Sequence, residues 1–361
     1  MTSLHATRGV NYWSRSPVTR MDLVVGAYED ISSADAPGFT EALVAAMPGL
    51  VEHRCSIGER GGFVTRLRRG TYAPHVVEHV ALELQNMVGH DVGYGRARGG
   101  DTEGEYTLIF EHVHETVGLR AAALALETVQ RAFAGTLDSV AHAVAELAAL
   151  AEHDDVPAVQ QHVLCGITGG AHRAEARAEL ARRGIGGDGE LVVDVSPSYL
   201  LQAGLPYARS TLAIILDTKP TDVPERYQDP ERARRLMAVM ADALPRGCVL
   251  IVPAKEWEIQ DDARDAGCGV AVFAADGDLT RRDKKVARTA GFVDDGRVVI
   301  EHRGETHDAG PLLDGVPAAA QVVATIAAFT LRERRVGVER PGEAPARGGR
   351  PEPLSGAGRG A

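Results

Sequence analysis

The sequence predicts an α+β N-terminal domain with a helical subdomain, followed by a Rossmann-like α/β domain. Three observations lead there. Two short β-rich runs, Met21–Ala27 and Tyr106–Phe110, enclose two helical stretches. A long Ala- and Leu-rich segment at helical spacing follows, and beyond it short apolar runs alternate with helical ones.

In the first half, the β-branched and apolar residues of Met21–Ala27 and Tyr106–Phe110 read as strands. The first helical stretch, Gly38–Met47, follows the turn-forming Ala34-Asp35-Ala36-Pro37-Gly38, and the second, Pro74–Val88, lies between Gly70 and Gly89. Thr116–Glu152 has the composition of two packed helices that close the domain. The acidic, Pro-ended Glu152-His153-Asp154-Asp155-Val156-Pro157 reads as a linker, so the first domain is expected over 1–155.

In the second half, His162–Ile167, Glu190–Val195, Thr211–Leu216, Cys248–Val252 and Gly269–Phe273 read as strands, with helices over Ala174–Arg183 and Pro230–Ala243. Strands separated by helices of this length predict βαβ units and a mainly parallel sheet over 160–335. The stretch 337–361 is rich in Gly, Pro, Arg and Glu, with too few apolar residues to offset the entropy of ordering, and is expected to be a disordered tail.

With 361 residues, 44% of them hydrophobic, the chain is long enough for two cores. A formal net charge of -11 argues against a nucleic-acid or anionic-membrane partner, either of which favours clustered Lys and Arg. The four cysteines, Cys55, Cys165, Cys248 and Cys268, show no Cys-x-x-Cys spacing, which fits a reducing cytoplasm better than a disulfide framework. The N-terminus lacks a signal-type apolar core, and no run approaches the length of a membrane span.

One motif carries chemistry. On a helix starting near Pro74, His75 and His79 are one turn apart and project from one face, so both imidazoles reach a single metal ion, with Glu78 beside them. In this His-x-x-Glu-His order the histidines are ligands and the glutamate takes a proton from a metal-bound water. The same residues also fit a solvent-facing helix with two hydrated histidines. A catalytic zinc needs a third protein ligand. Strand alternation groups Glu111 with Glu115 and sets His112 and His114 opposite, so the two carboxylates are the candidates, with Glu115 slightly ahead and helix capping as its rival role. Glu52, His53 and Cys55 form a polar cluster that either lines this site or makes a turn. Arg66, Arg68 and Arg69 suit either acidic substrate groups or a solvated face.

The stretches Arg8-Gly9-Val10-Asn11-Tyr12-Trp13-Ser14, Pro37-Gly38-Phe39, Glu52-His53-Arg54-Cys55-Ser56, Gly61-Gly62-Phe63, His75–Gln85 and Asp91-Val92-Gly93-Tyr94-Gly95-Arg96 resemble the N-terminal domain of the cyanophycin synthetase family. The resemblance implies a domain that binds the polymer and, in some members, a metal-dependent peptidase that trims it into primers. Full-length members continue with an ATP-grasp domain and a Mur-ligase-like domain. The short linker here leaves no room for the former. The second half resembles a degenerate Mur-ligase central domain: Cys165-Gly166-Ile167-Thr168-Gly169 looks like the strand and first turn of its phosphate loop, but Gly170-Ala171-His172-Arg173-Ala174 departs from Thr-Asn-Gly-Lys-Thr. Ile215–Asp222 lacks the family's metal-associated histidine, and Leu236 stands near the place of its modified lysine. Without the loop lysine and threonine, which reach the terminal phosphates and Mg²⁺, ATP is not an expected cofactor.

Taken together, these features predict a zinc-dependent hydrolase, a peptidase or isopeptidase. Its substrate is a cyanophycin-like or other Asp/Arg-containing peptide or polymer, with Glu78 catalytic and His75, His79 and Glu115 or Glu111 on zinc. The alternative is a non-catalytic peptide-binding or accessory subunit of a ligase, working with an ATP-grasp partner in trans. The family's oligomeric habit implies a homo-oligomer.

Overall fold

The computed structural model describes residues 1–153, 161–187, 189–276 and 279–338. The first domain runs β1 (Ser3–Thr7), β2 (Val18–Val24), α1 (Phe39–Ala46), α2 (Gly62–Arg69), α3 (Ala73–Asn86), β3 (Gly95–Gly99), β4 (Glu105–Glu111), α4 (Glu115–Phe133) and α5 (Ala141–His153). Its strands form an antiparallel four-stranded sheet in the order β1-β2-β4-β3. Met21 and Leu23 of β2 and Leu108 and Phe110 of β4 alternate inward, and α3 and α4 pack side by side over them. α5 closes the far side through Ala143 and Leu147.

The second domain runs β5 (His162–Thr168), α6 (Arg173–Arg182), β6 (Val192–Asp194), α7 (Pro197–Ala203), β7 (Arg209–Ile215), α8 (Pro230–Asp242), β8 (Val249–Pro253), α9 (Trp257–Asp265), β9 (Gly269–Ala274), α10 (Arg281–Val286), β10 (Thr289–Asp294), β11 (Arg297–His302), β12 (Glu305–Pro311) and α11 (Ala318–Val338). Its eight-stranded sheet has the order β12-β11-β10-β9-β8-β7-β5-β6. It is parallel from β6 to β10, with β11 and β12 added antiparallel at one edge.

Strand alternation divides this sheet between two cores. On one face Ala213, Ile215, Leu250, Val252, Val270 and Val272 meet α7, α8 and α9. On the other, Leu212, Ile214, Ile251, Ala271 and Phe273 meet α6 and α11. Helices on both faces of a parallel sheet are the doubly wound arrangement the apolar runs predict. The strand order turns between β5 and β7, which opens a crevice at their carboxyl ends.

Several boundaries differ from the sequence reading. β2 begins and ends three residues early because the chain turns at Gly26, whose φ is 61°. Glu152 and His153 belong to α5 rather than to a linker, and 154–157 lie outside the described residues. Gly337 and Val338 end α11 rather than open a tail, of which 339–361 lie outside the described residues.

The larger difference is where residues 8–14 go. Leaving β1, they cross to the second domain: the Arg8 N–H donates to the Ala203 carbonyl at 2.8 Å, and the Leu205 N–H donates to the Val10 carbonyl at 2.8 Å. Val10 and Tyr12 are buried in the second domain's core. Tyr12, Trp13 and Tyr227 meet edge to face, and Arg235 stacks over Tyr12. Gly9 makes the crossing feasible, with φ of 63° and a position where a Cβ would lie 2.9 Å from the Leu205 carbonyl oxygen. Gly9→Ala is therefore expected to lower stability by more than about 1 kcal/mol, read from urea unfolding followed by tryptophan fluorescence. An unchanged midpoint would mean that the crossing tolerates a side chain.

Candidate functional site

A cleft of about 650 Å³ opens in the first domain between the 52–56 loop, α3 and the 92–97 segment. α3 supplies its base. The helix begins with Pro74 in its first turn, where a missing N–H costs nothing, and runs through a Val/Leu-rich stretch. Because it is packed on nearly every side, its polar residues are buried as well. Glu78, His79 and Glu83 are each about 5–6% exposed.

Each buried polar group has a partner suited to a neutral or shared proton. The two nitrogens of His75 lie 2.8 Å from Thr71 Oγ1 and 3.2 Å from Cys55 Sγ. His79 Nδ1 lies 2.9 Å from His53 Nδ1, and His53 Nε2 lies 3.0 Å from Glu83 Oε2, so one imidazole links a second imidazole to a carboxylate. The Phe63 ring stacks on His79 with centroids 3.9 Å apart. Burial, with Arg66 adding to it, pushes the His75 imidazolium down to about 4. Burial, with His75 and His53 adding to it, pushes that of His79 to about 2. Both rings are neutral near pH 7 and free of the protons that would compete with a cation.

Glu78 goes the other way. Burial pushes its carboxyl up to about 8 against the smaller opposing effects of the Ala97 backbone and Arg96. Gly95 leaves it room, since a Cβ there would lie 2.6 Å from Glu78 Oε1. By burial alone the side chain is mostly a carboxylic acid at neutral pH.

Of the sequence-predicted residues, the structure brings His75, Glu78 and His79 to the cleft and sends the two carboxylates elsewhere. β4 ends at Glu111, so strand alternation does not continue to Glu115. Glu111 does not line the cleft; it accepts hydrogen bonds from the N–H groups of Gly93 and Tyr94, which do, at 3.3 and 3.0 Å. Glu115 opens α4 and pairs with Arg8 at 2.7 Å. The donor that stands with the two histidines is a thiol: atoms of Cys55, His75 and His79 lie within 4.8 Å of one another. Two imidazoles and a sulfur suit a borderline or soft divalent ion. Cys55 sits in a short turn at φ of 54°, away from any periodic element. Glu52 pairs with Arg60 in solvent, and Arg66, Arg68 and Arg69 are exposed on α2.

Comparison with known proteins follows the same segment. A family model for the cyanophycin synthase-like N-terminal domain matches residues 20–134. Cyanophycin synthetase of Synechocystis sp. is 48% identical over 126 residues, which is 33% of this chain and 14% of that protein. Cyanophycin synthetase of Trichormus variabilis is 32% identical over 250 residues, 68% of this chain and 26% of that protein, an alignment longer than the matched domain. The chain thus spans about a quarter or less of the curated relatives it matches. Among solved structures, MurF ligase of Thermotoga maritima in complex with ADP aligns at a TM-score of 0.34 and 12% identity, over 55% of this chain and 50% of that one.

These relatives correct the functional expectation. The cyanophycin synthase-like domain is shared with proteins named as synthetases, which form bonds, and this overturns the expectation of a zinc-dependent hydrolase, whether peptidase or isopeptidase.

The buried acid predicts a pH signature. Because the folded-state value of Glu78, about 8, lies above its ordinary 4.5, its contribution to stability is complete below about pH 4.5 and is lost as pH rises through 8. With metal chelated, Glu78→Gln should match the wild type near pH 4.5. Above pH 8 it should exceed it by on the order of a few kcal/mol, measured by urea unfolding across pH. Parallel profiles for the two proteins would refute the buried acid.

Proposed function

We propose that this chain is a peptide-binding, non-catalytic accessory subunit of an amide-forming ligase system, in which an ATP-grasp partner supplies activation in trans. The observation that carries the reading is the identity of 48% between the cleft-bearing domain and a cyanophycin synthetase. The ligand expected in the cleft is a cyanophycin-like polymer or a related Asp/Arg-containing peptide. Glu78 lies at the base of the cleft within reach of a bound peptide backbone, and the exposed edges of the cleft, including Arg54, meet charged side chains. A divalent cation held by Cys55, His75 and His79 fits this reading by fixing the 52–56 loop against α3 and supplying a positive charge for a carboxylate.

The crevice of the second domain supports an accessory rather than a self-sufficient role. Asp217, just past β7, accepts hydrogen bonds from the N–H groups of Gly170, Ala171 and Lys219 at 2.9–3.1 Å. A carboxylate therefore occupies the backbone amides that a phosphate would need, and its charge opposes a second anion there. Arg173, beside the loop, turns its guanidinium back onto the Gly169 carbonyl. The four cysteines are free thiols, in keeping with a reducing, cytoplasmic setting for this subunit, and no helix among the described residues is long and apolar enough to cross a membrane.

Three measurements test the proposal. The purified chain should co-sediment with cyanophycin granules, and His79→Ala should weaken that retention by about tenfold or more. Failure of the wild-type chain to sediment would end the peptide-binding reading. Isothermal titration with Mg-ATP should give no heat of binding, and saturable binding would instead assign the chain its own ligase chemistry. Elemental analysis should find about one divalent ion per chain, lost in His79→Ala.

A further inference from the structure

A second cleft, of about 600 Å³, lies at the carboxyl ends of β7 and β8, beside the crevice that Asp217 closes. One wall is Thr218 to Thr221, the other Lys255 to Glu258, and Arg234 and Pro230 of α8 lie between them. Ligands of doubly wound sheets sit at this end of the strands.

The charges are arranged unequally. Arg234 is paired with Glu258 and lies 4.0 Å from Glu256, and Glu256 also accepts from Thr218 Oγ1 at 2.6 Å. Both carboxylates are thus engaged. Lys219 and Lys255 form no ion pair among the described residues, and both are exposed. Two lysines without an ion-pair partner among the described residues therefore line one cleft in a chain whose net charge is -11.

The second wall is also held in an unusual state. Lys255 has φ of 70°, a region where glycine would be unstrained and a lysine is not. The conformation is fixed by the buried Asp283, whose Oδ1 accepts from the Lys255 N–H at 3.0 Å, from Trp257 Nε1 at 3.3 Å and from Gln260 Nε2 at 3.2 Å. One carboxylate thereby sets both the lysine and the half-exposed indole beside it. Trp257, Pro220 and Pro230 give the cleft an apolar wall next to the two charges.

We propose that this cleft binds a carboxylate-bearing small molecule or peptide terminus, with the carboxylate between Lys219 and Lys255 and its apolar part against Trp257. A phosphate is a poorer fit, because it is best held by an arginine fork or by converging backbone amides. Here the arginine is paired and the neighbouring amides are taken by Asp217.

The test is a titration of the full chain, followed by ligand-observed NMR, with 3-phenylpropionate, 3-phenylpropanamide, N-acetylphenylalanine and inorganic phosphate. The two carboxylates should bind saturably, and the tighter of them tells whether the natural ligand is a free acid or a peptide carboxyl terminus. The amide should bind at least about tenfold more weakly, as should either carboxylate to Lys219→Gln or to Lys255→Gly. Lys255→Gly removes the charge while relieving the backbone, so its melting temperature should be equal to or above that of the wild type. Lys219→Gln provides an independent reading of the charge. Equal binding of acid and amide, tighter binding of phosphate, or unchanged binding in both variants would overturn the proposal.

Discussion

Burying the polar residues of α3 sets the condition that the rest of the first domain meets. An isolated charge in such a place is too costly to persist, so each group is neutralised or paired by something brought from elsewhere in the chain. His53 comes from the loop before α2 to join His79 to Glu83. Thr71 and Cys55 flank His75. Gly95 draws β3 close enough to shelter Glu78. The cleft is the space left where these contributions converge, so its shape and its chemistry share a cause.

The second domain solves a related problem with local charge. Asp217 and Asp283 each gather several N–H donors near the carboxyl ends of the parallel strands. For Asp283, burial alone would raise the carboxyl, but the hydrogen bonds from Lys255, Thr280 and Gln260 outweigh it and hold the group below its usual range. Both aspartates act as fixed internal anions that shape loops, and the two loops end with different character. One is closed by its aspartate, and the other is propped open.

Much of this was legible in the sequence, for physical reasons that also mark the limit. Elements with runs or repeats of apolar positions announce themselves: α3 and α4 because they face one core, β7 and β8 because they are buried on both faces between two. α2 does not, since half of its eight residues are polar or basic and it begins at a left-handed Gly61. The His75-Glu78-His79 spacing is a property of one helix and can be read directly. The third donor is legible only as one member of the cluster Glu52, His53 and Cys55 that the sequence sets beside the site or in a turn, because Cys55 reaches the pair through a tight turn with no period. Glu115 drew attention as a carboxylate near a helix start, but its partner Arg8 lies 107 residues away and only the fold brings them together. β10 to β12 and α11 were also missed. β12 is mostly exposed, and so lacks the inward-facing alternation that marks a strand.

The crossing of residues 8–14 has a consequence for how the molecule comes into being. Val10 and Tyr12 complete a core whose other members extend to Ala290, so these early residues leave the ribosome long before the surface that receives them exists. Until then an apolar, aromatic segment stays unsheltered beside a sheet that can otherwise close. Residues 8–14 thus wait on the second domain, and a cut that separates them from the rest of the chain would damage the core of that later half.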